Sequence, residues 1–143
     1  MDLADFGLDL VAALLYGVVG VVLMTAGYGV LDLLIPGSLG DLICRHRRRD
    51  VGIVVASGTL SLGAIVTAAI FASEDQLGTG LAQTAGYGVI GILLLSLAFV
   101  VVDRLLPERL GQMLGDDVED EPAAYVTGAM LLGVGAIIVG AIS

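Results

Sequence analysis

Four stretches of this chain contain no Asp, Glu, Lys, Arg or His: Leu10 to Leu31, Val51 to Ser73, Gln76 to Val102 and Pro122 to Ser143. A helix needs roughly 20 apolar residues to cross a bilayer core of about 30 Å, and each stretch is long enough. The sequence therefore predicts an all-α membrane protein with four transmembrane helices. The third stretch opens on a polar, Gly-rich segment, Gln76 to Thr84, which places its span near Ala85 to Leu106.

A soluble core cannot absorb the apolar fraction of 57% or the mean hydropathy of +1.01. At 143 residues the chain reads as a single membrane domain, residues 1–143. Four crossings leave no room in it for a soluble catalytic domain. The 21 glycines would be costly in soluble helices but suit membrane helices, where small residues let backbones approach closely. Cys44 is the single cysteine, which excludes an internal disulfide and any multi-cysteine metal site. Asp2, Asp5 and Asp9 stand where a secretory signal would carry basic residues, so the first helix is expected to be retained. A net charge of -9 with no Lys matches the acidic composition of halophile proteins.

The six basic residues fall in two places. Arg45, Arg47, Arg48 and Arg49 follow the first span, and Arg104 and Arg109 finish or follow the third. After two crossings the chain is back on its starting side, so these two loops share a side. Short loops rich in Arg stay cytoplasmic. The expected topology is a multi-pass protein of a prokaryotic plasma membrane, with the N-terminus and C-terminus outside.

The two halves repeat. Tyr16-Gly17-Val18 falls on Tyr87-Gly88-Val89, Gly20 on Gly91, Asp32 on Asp103, Pro36 on Pro107, and Leu39-Gly40 on Leu110-Gly111. After a gap of one residue, Gly58 falls on Gly128, Leu62-Gly63 on Leu132-Gly133, and Ser73 on Ser143. Repeat one covers about residues 10–73 and repeat two about 85–143. Each unit crosses twice, so both enter from the same side, and the expected relation is a pseudo-twofold axis along the membrane normal.

The residues that carry the repeat also resemble a family. Tyr-Gly near the helix start, Asp32-Leu-Leu-Ile-Pro36 and Asp103-Arg-Leu-Leu-Pro107, each followed by Leu-Gly, and then a Gly-rich second helix are similar to the two-repeat membrane proteins of the DUF350 family, domain of unknown function 350. The resemblance runs from Tyr16 to Ser143. It implies a four-helix membrane protein with a link to envelope or membrane stress, and it supplies no active site. Where that family commonly has an Asn at the start of the second helix of each unit, this chain has Asp50, and Glu121 or Pro122.

Asp32 and Asp103 are the candidate ion or proton site. Each precedes a proline by four residues, near the end of a helix whose dipole favours cations there. A carboxylate set against both dipole and lipid is a functional candidate, and its bland counterpart is snorkelling to the headgroups or pairing with Arg104 or Arg109. Tyr28, one turn before Asp32, is expected in an interfacial aromatic belt, and Phe99 is its repeat counterpart. Small residues at helical spacing mark packing ridges: Ser57, Ser61, Ala64 and Ala68 in one helix, Ala129, Gly133, Ala136 and Gly140 in another, with Gly58, Gly63 and Gly128 beside them. The two Arg-side loops carry opposite charge, with Arg45, Arg47, Arg48 and Arg49 in one and Asp116, Asp117, Glu119, Asp120 and Glu121 in the other. They are possible interaction loops.

His46 stands alone without a second ligand type, so no metal or catalytic role is expected. The chain also carries no phosphate loop, zinc-protease helix or serine elbow. No cofactor and no nucleic acid are expected; the expected partners are the lipid bilayer and a homo-oligomer or membrane-protein partner. The first functional expectation is a non-enzymatic, self-associating or partner-supporting membrane component. The alternative is a small oligomeric ion or proton channel or carrier using Asp32 and Asp103.

Overall fold

The computed structural model describes residues 2–35, 37, 39–45, 49–73, 76–105 and 122–143. Lipid offers no water to satisfy backbone N–H and C=O groups, so long apolar segments close their own hydrogen bonds as helices. Among the described residues there are five: α1 (Leu3–Leu34), α2 (Leu39–Cys44), α3 (Arg49–Phe71), α4 (Leu77–Leu105) and α5 (Pro122–Ile142). Four of them, α1, α3, α4 and α5, are long and apolar enough to cross a membrane.

At about 1.5 Å per residue, α1 runs for roughly 48 Å and exceeds the bilayer core. Its first turns, with exposed Asp5 and Asp9, project beyond the apolar stretch. The helix stops at Leu34 because Ile35 precedes Pro36, and a residue before proline is driven out of the helical region. Ile35 is extended, with φ -94 and ψ 120, and its N–H donates to the Leu31 carbonyl at 3.1 Å. Gly37 then turns the chain at φ 106, a conformation that suits glycine.

The neighbours of the glycines give the helix directions. Gly20 lies beside Val66 and Gly27 beside Leu62, so α1 and α3 are antiparallel. Gly128 lies beside Ser57 and Gly135 beside Ser61, so α3 and α5 run the same way. The end of α1, the starts of α3 and α5 and the end of α4 therefore share one end of the bundle, the end that bears Arg45, Arg49 and Arg104.

The helix in the middle is α3. It packs on α1, α4 and α5, most extensively on α5, and α2 rests against it. Its Val51, Val54, Ile65 and Ala69 are fully buried, and Leu31 from α1, Ile35 just beyond its end, Leu95 and Phe99 from α4 and Ala124 and Leu131 from α5 complete the core. By contrast, α1 buries only Leu23, Gly27 and Leu31.

At the α3–α5 seam one pair of repeat counterparts meets. Ser61 Oγ donates to the Leu131 carbonyl at 3.0 Å. A twofold axis would place counterpart residues together in this way. The outer helices follow another rule: a twofold would make α1 meet α5 as α4 meets α3, yet α1 meets α3 and α4 and scarcely touches α5. The structure is thus a two-layer arrangement, with α1 beside α4 and α3 beside α5.

The α4 helix begins at Leu77, eight residues before Ala85, near which the sequence places the start of the membrane span. The Gly-rich opening is helical because Gly80 and Thr84 continue the buried face of Gly88 and Gly91.

Candidate functional site

The polar groups gather at the Arg-bearing end. Asp32 lies in the last turn of α1 and Asp103 in the last turn of α4, each half-buried. Both sit at helix termini where the dipole disfavours a carboxylate, by about 0.3–1 kcal/mol at an exposed position. In α4 the adjacent Arg104 is a basic residue in the same turn, while α1 has none in its last turn.

Asp50 is the most buried carboxylate described, 4% exposed in the first turn of α3. There the helix dipole favours a negative charge. It follows Arg49 and precedes fully buried Val51. Asp32, Asp50 and Asp103 are each engaged by another residue through hydrogen bonding or electrostatics. Among the described residues, no group of three or more His, Cys, Asp or Glu stands close enough to hold a metal ion.

Arg45 pairs with Asp41 one turn back in α2, Nε to Oδ1 at 3.3 Å, with both side chains exposed. Arg49 and Cys44 are exposed as well. Arg47, Arg48, His46, Arg109, Asp116, Asp117, Glu119, Asp120 and Glu121 lie outside the described residues. Tyr28 is exposed, as a belt residue is, but its counterpart Phe99 is buried.

The packing residues divide into two groups. Gly58 lies beside Leu31 and Leu131, and a Cβ on Gly128 would stand 2.7 Å from Ser57 Oγ. Ser57, Ser61 and Ala68 are buried and Ala64 is exposed. The predicted ridge of α5 faces outward: Ala129, Gly133, Ala136 and Gly140 are exposed, and Gly63, Gly133 and Gly140 have open space where a Cβ would go. The face of α5 that is buried runs through Ala124, Gly128, Leu131, Gly135 and Ile138. The sequence does not single out Gly135, although a Cβ there would stand 3.2 Å from the Ser61 Cα.

These features, four spans with a glycine-rich seam and an Asp near the end of both α1 and α4, coincide with a family model described as Domain of Unknown Function (DUF350), which matches residues 5–142. The chain belongs to the DUF350 family. Curated relatives agree. A UPF0719 transmembrane protein of Mycolicibacterium paratuberculosis is 32% identical over 133 residues, covering 93% of this chain and 87% of the relative. UPF0719 transmembrane proteins of Mycobacterium bovis and Mycobacterium tuberculosis are each 35% identical over 133 residues, with the same coverage. No solved structure matches this DUF350 chain. Four apolar helices and transmembrane relatives make it a multi-pass integral membrane protein.

Proposed function

We propose that this DUF350 protein is a non-enzymatic membrane component that works by associating with copies of itself or by supporting a membrane-protein partner. One observation carries the reading: α3 occupies the middle of the bundle, with its apolar side chains fully buried at Val51, Val54, Ile65 and Ala69. Interiors packed to native density leave no room for a continuous water path through a single chain. What the chain offers instead is surface, since α1, α4 and α5 each expose most of a helix face.

The setting that fits this reading is a prokaryotic plasma membrane, with both termini outside and the Arg-bearing end in the cytoplasm, where Arg side chains meet anionic lipid. The acidic, Lys-free composition fits a halophile, and a role in envelope or membrane stress fits the family resemblance. The basic loop of one repeat and the acidic loop of the other are complementary in charge, within a chain or between neighbours.

A second reading, an oligomeric ion or proton channel or carrier, draws on Asp32 and Asp103, half-buried counterparts at one end of the bundle. Counting subunits by stepwise photobleaching in dilute lipid vesicles tests the first reading. Association predicts multi-step bleaching that persists on dilution. Single steps at every dilution, with no partner recovered from native membranes, would overturn it.

A further inference from the structure

We propose that copies of this chain join in a row, the exposed face of α4 in one copy docking on the exposed face of α1 in the next; this rests on the self-association reading above. In lipid an apolar helix face needs no protein cover, so exposure alone does not say which face associates. The template is the interface that already joins the two repeats inside the chain.

There the Leu23 side chain of α1 lies over Gly88 of α4 so closely that a Cβ on Gly88 would overlap it. On the same face of α4 as Gly88, Ile92 and Phe99 are buried as well, 7% and 2% exposed. The repeat carries Leu23 onto Leu94, and Gly88, Ile92 and Phe99 onto Gly17, Val21 and Tyr28.

Both counterpart surfaces are open. Leu94 is 44% exposed where Leu23 is 5%, and Val21 and Tyr28 are 67% and 37% exposed. Gly17 has nothing within 4 Å of where its Cβ would stand. One leucine has its glycine, and the second leucine and second glycine are left for a neighbour. Because α1 and α4 are corresponding helices of the two units, laying α4 of one copy against α1 of the next repeats the internal contact without a new geometry. Such an interface is heterologous: each copy gives a different surface to each neighbour, and the row closes into a ring or stays open according to its curvature.

The test uses the full chain in its membrane with Cys44→Ala as background. Gly17→Cys is placed on one tagged copy and Leu94→Cys on a second, and the co-expressed pair is treated with a short thiol-bridging reagent. The expected result is bridging of the mixed pair and not of either variant with itself, while a chain carrying both substitutions gives a ladder at multiples of the monomer mass. Gly17→Leu fills a position whose Cβ would meet none of the described residues of its own chain, so it should remove the oligomer while leaving helix content and melting unchanged. Absence of mixed bridging, or self-bridging of Leu94→Cys alone, would overturn the proposal. If photobleaching still counts oligomers in that case, only this face is wrong and self-association stands; single subunits overturn both.

Discussion

Ser61 Oγ donates a 3.0 Å hydrogen bond to the carbonyl of Leu131, and the two residues are counterparts in the internal repeat, 70 positions apart. Beside it, Gly135 brings the α5 backbone against the Ser61 Cα. Lipid does not drive helices together by hydrophobic burial, so close packing and interhelical hydrogen bonds of this sort hold the seam.

Ser61→Ala keeps the small side chain and removes the bond. Interhelical hydrogen bonds in membranes average about 0.6 kcal/mol and reach about 1.7 kcal/mol, so a loss in that range is expected. Reversible unfolding in mixed micelles measures it; an unchanged unfolding midpoint would show that the bond contributes nothing.

The glycines separate by what a side chain would meet. Gly88→Leu is expected to displace Leu23 and destabilise the chain by about 1–3 kcal/mol through overpacking. Gly63→Ala meets nothing within 4 Å and is expected to be neutral or stabilising, by at most about 1 kcal/mol, because glycine weakens a helix interior. The same unfolding assay checks both, and equal effects would contradict the packing described for α1 on α4.

Asp50 is predicted to matter to folding more than its place beside an arginine loop suggests. Asp50→Ala removes a buried carboxylate from the first turn of α3, where the helix dipole favours it, and a loss of up to about 2 kcal/mol is expected. Asp50→Asn keeps a hydrogen-bonding side chain at the helix start and should retain most of the stability. Thermal melts of the two variants in lipid check the order.

The four spans were legible in the sequence because a charge-free run of bilayer length has few other fates. Topological pairing followed from the even number of crossings between the Arg loops. That α4 extends back to Leu77, ahead of the span expected near Ala85, was not legible because Gln76 to Thr84 looks polar in one dimension, whereas Gly80 and Thr84 fall on the helix face that packs. Thr84 is fully buried, and its Oγ1 has no hydrogen-bond partner among the described residues. The buried face of α5 was also out of reach. That helix is apolar all round, so Ala129, Gly133, Ala136 and Gly140 form as good a ridge on paper as the one through Gly128 and Gly135. Only the partner helix, with Ser57 and Ser61 opposite, distinguishes them. Asp32 and Asp103 could be marked as unusual from the dipole and the proline spacing, but the burial of Asp50 could not, since it depends on the folded end of the bundle.

A bundle filled by α3 that acts through association instead of conduction is tested by ion and proton flux in liposomes. Wild type is compared with the Asp32→Asn, Asp103→Asn double variant after equal folding and insertion are established. No flux above empty liposomes is expected for either protein under sodium, potassium and proton gradients. Flux in the wild type that the double variant abolishes would contradict it and establish the two aspartates as a transport site.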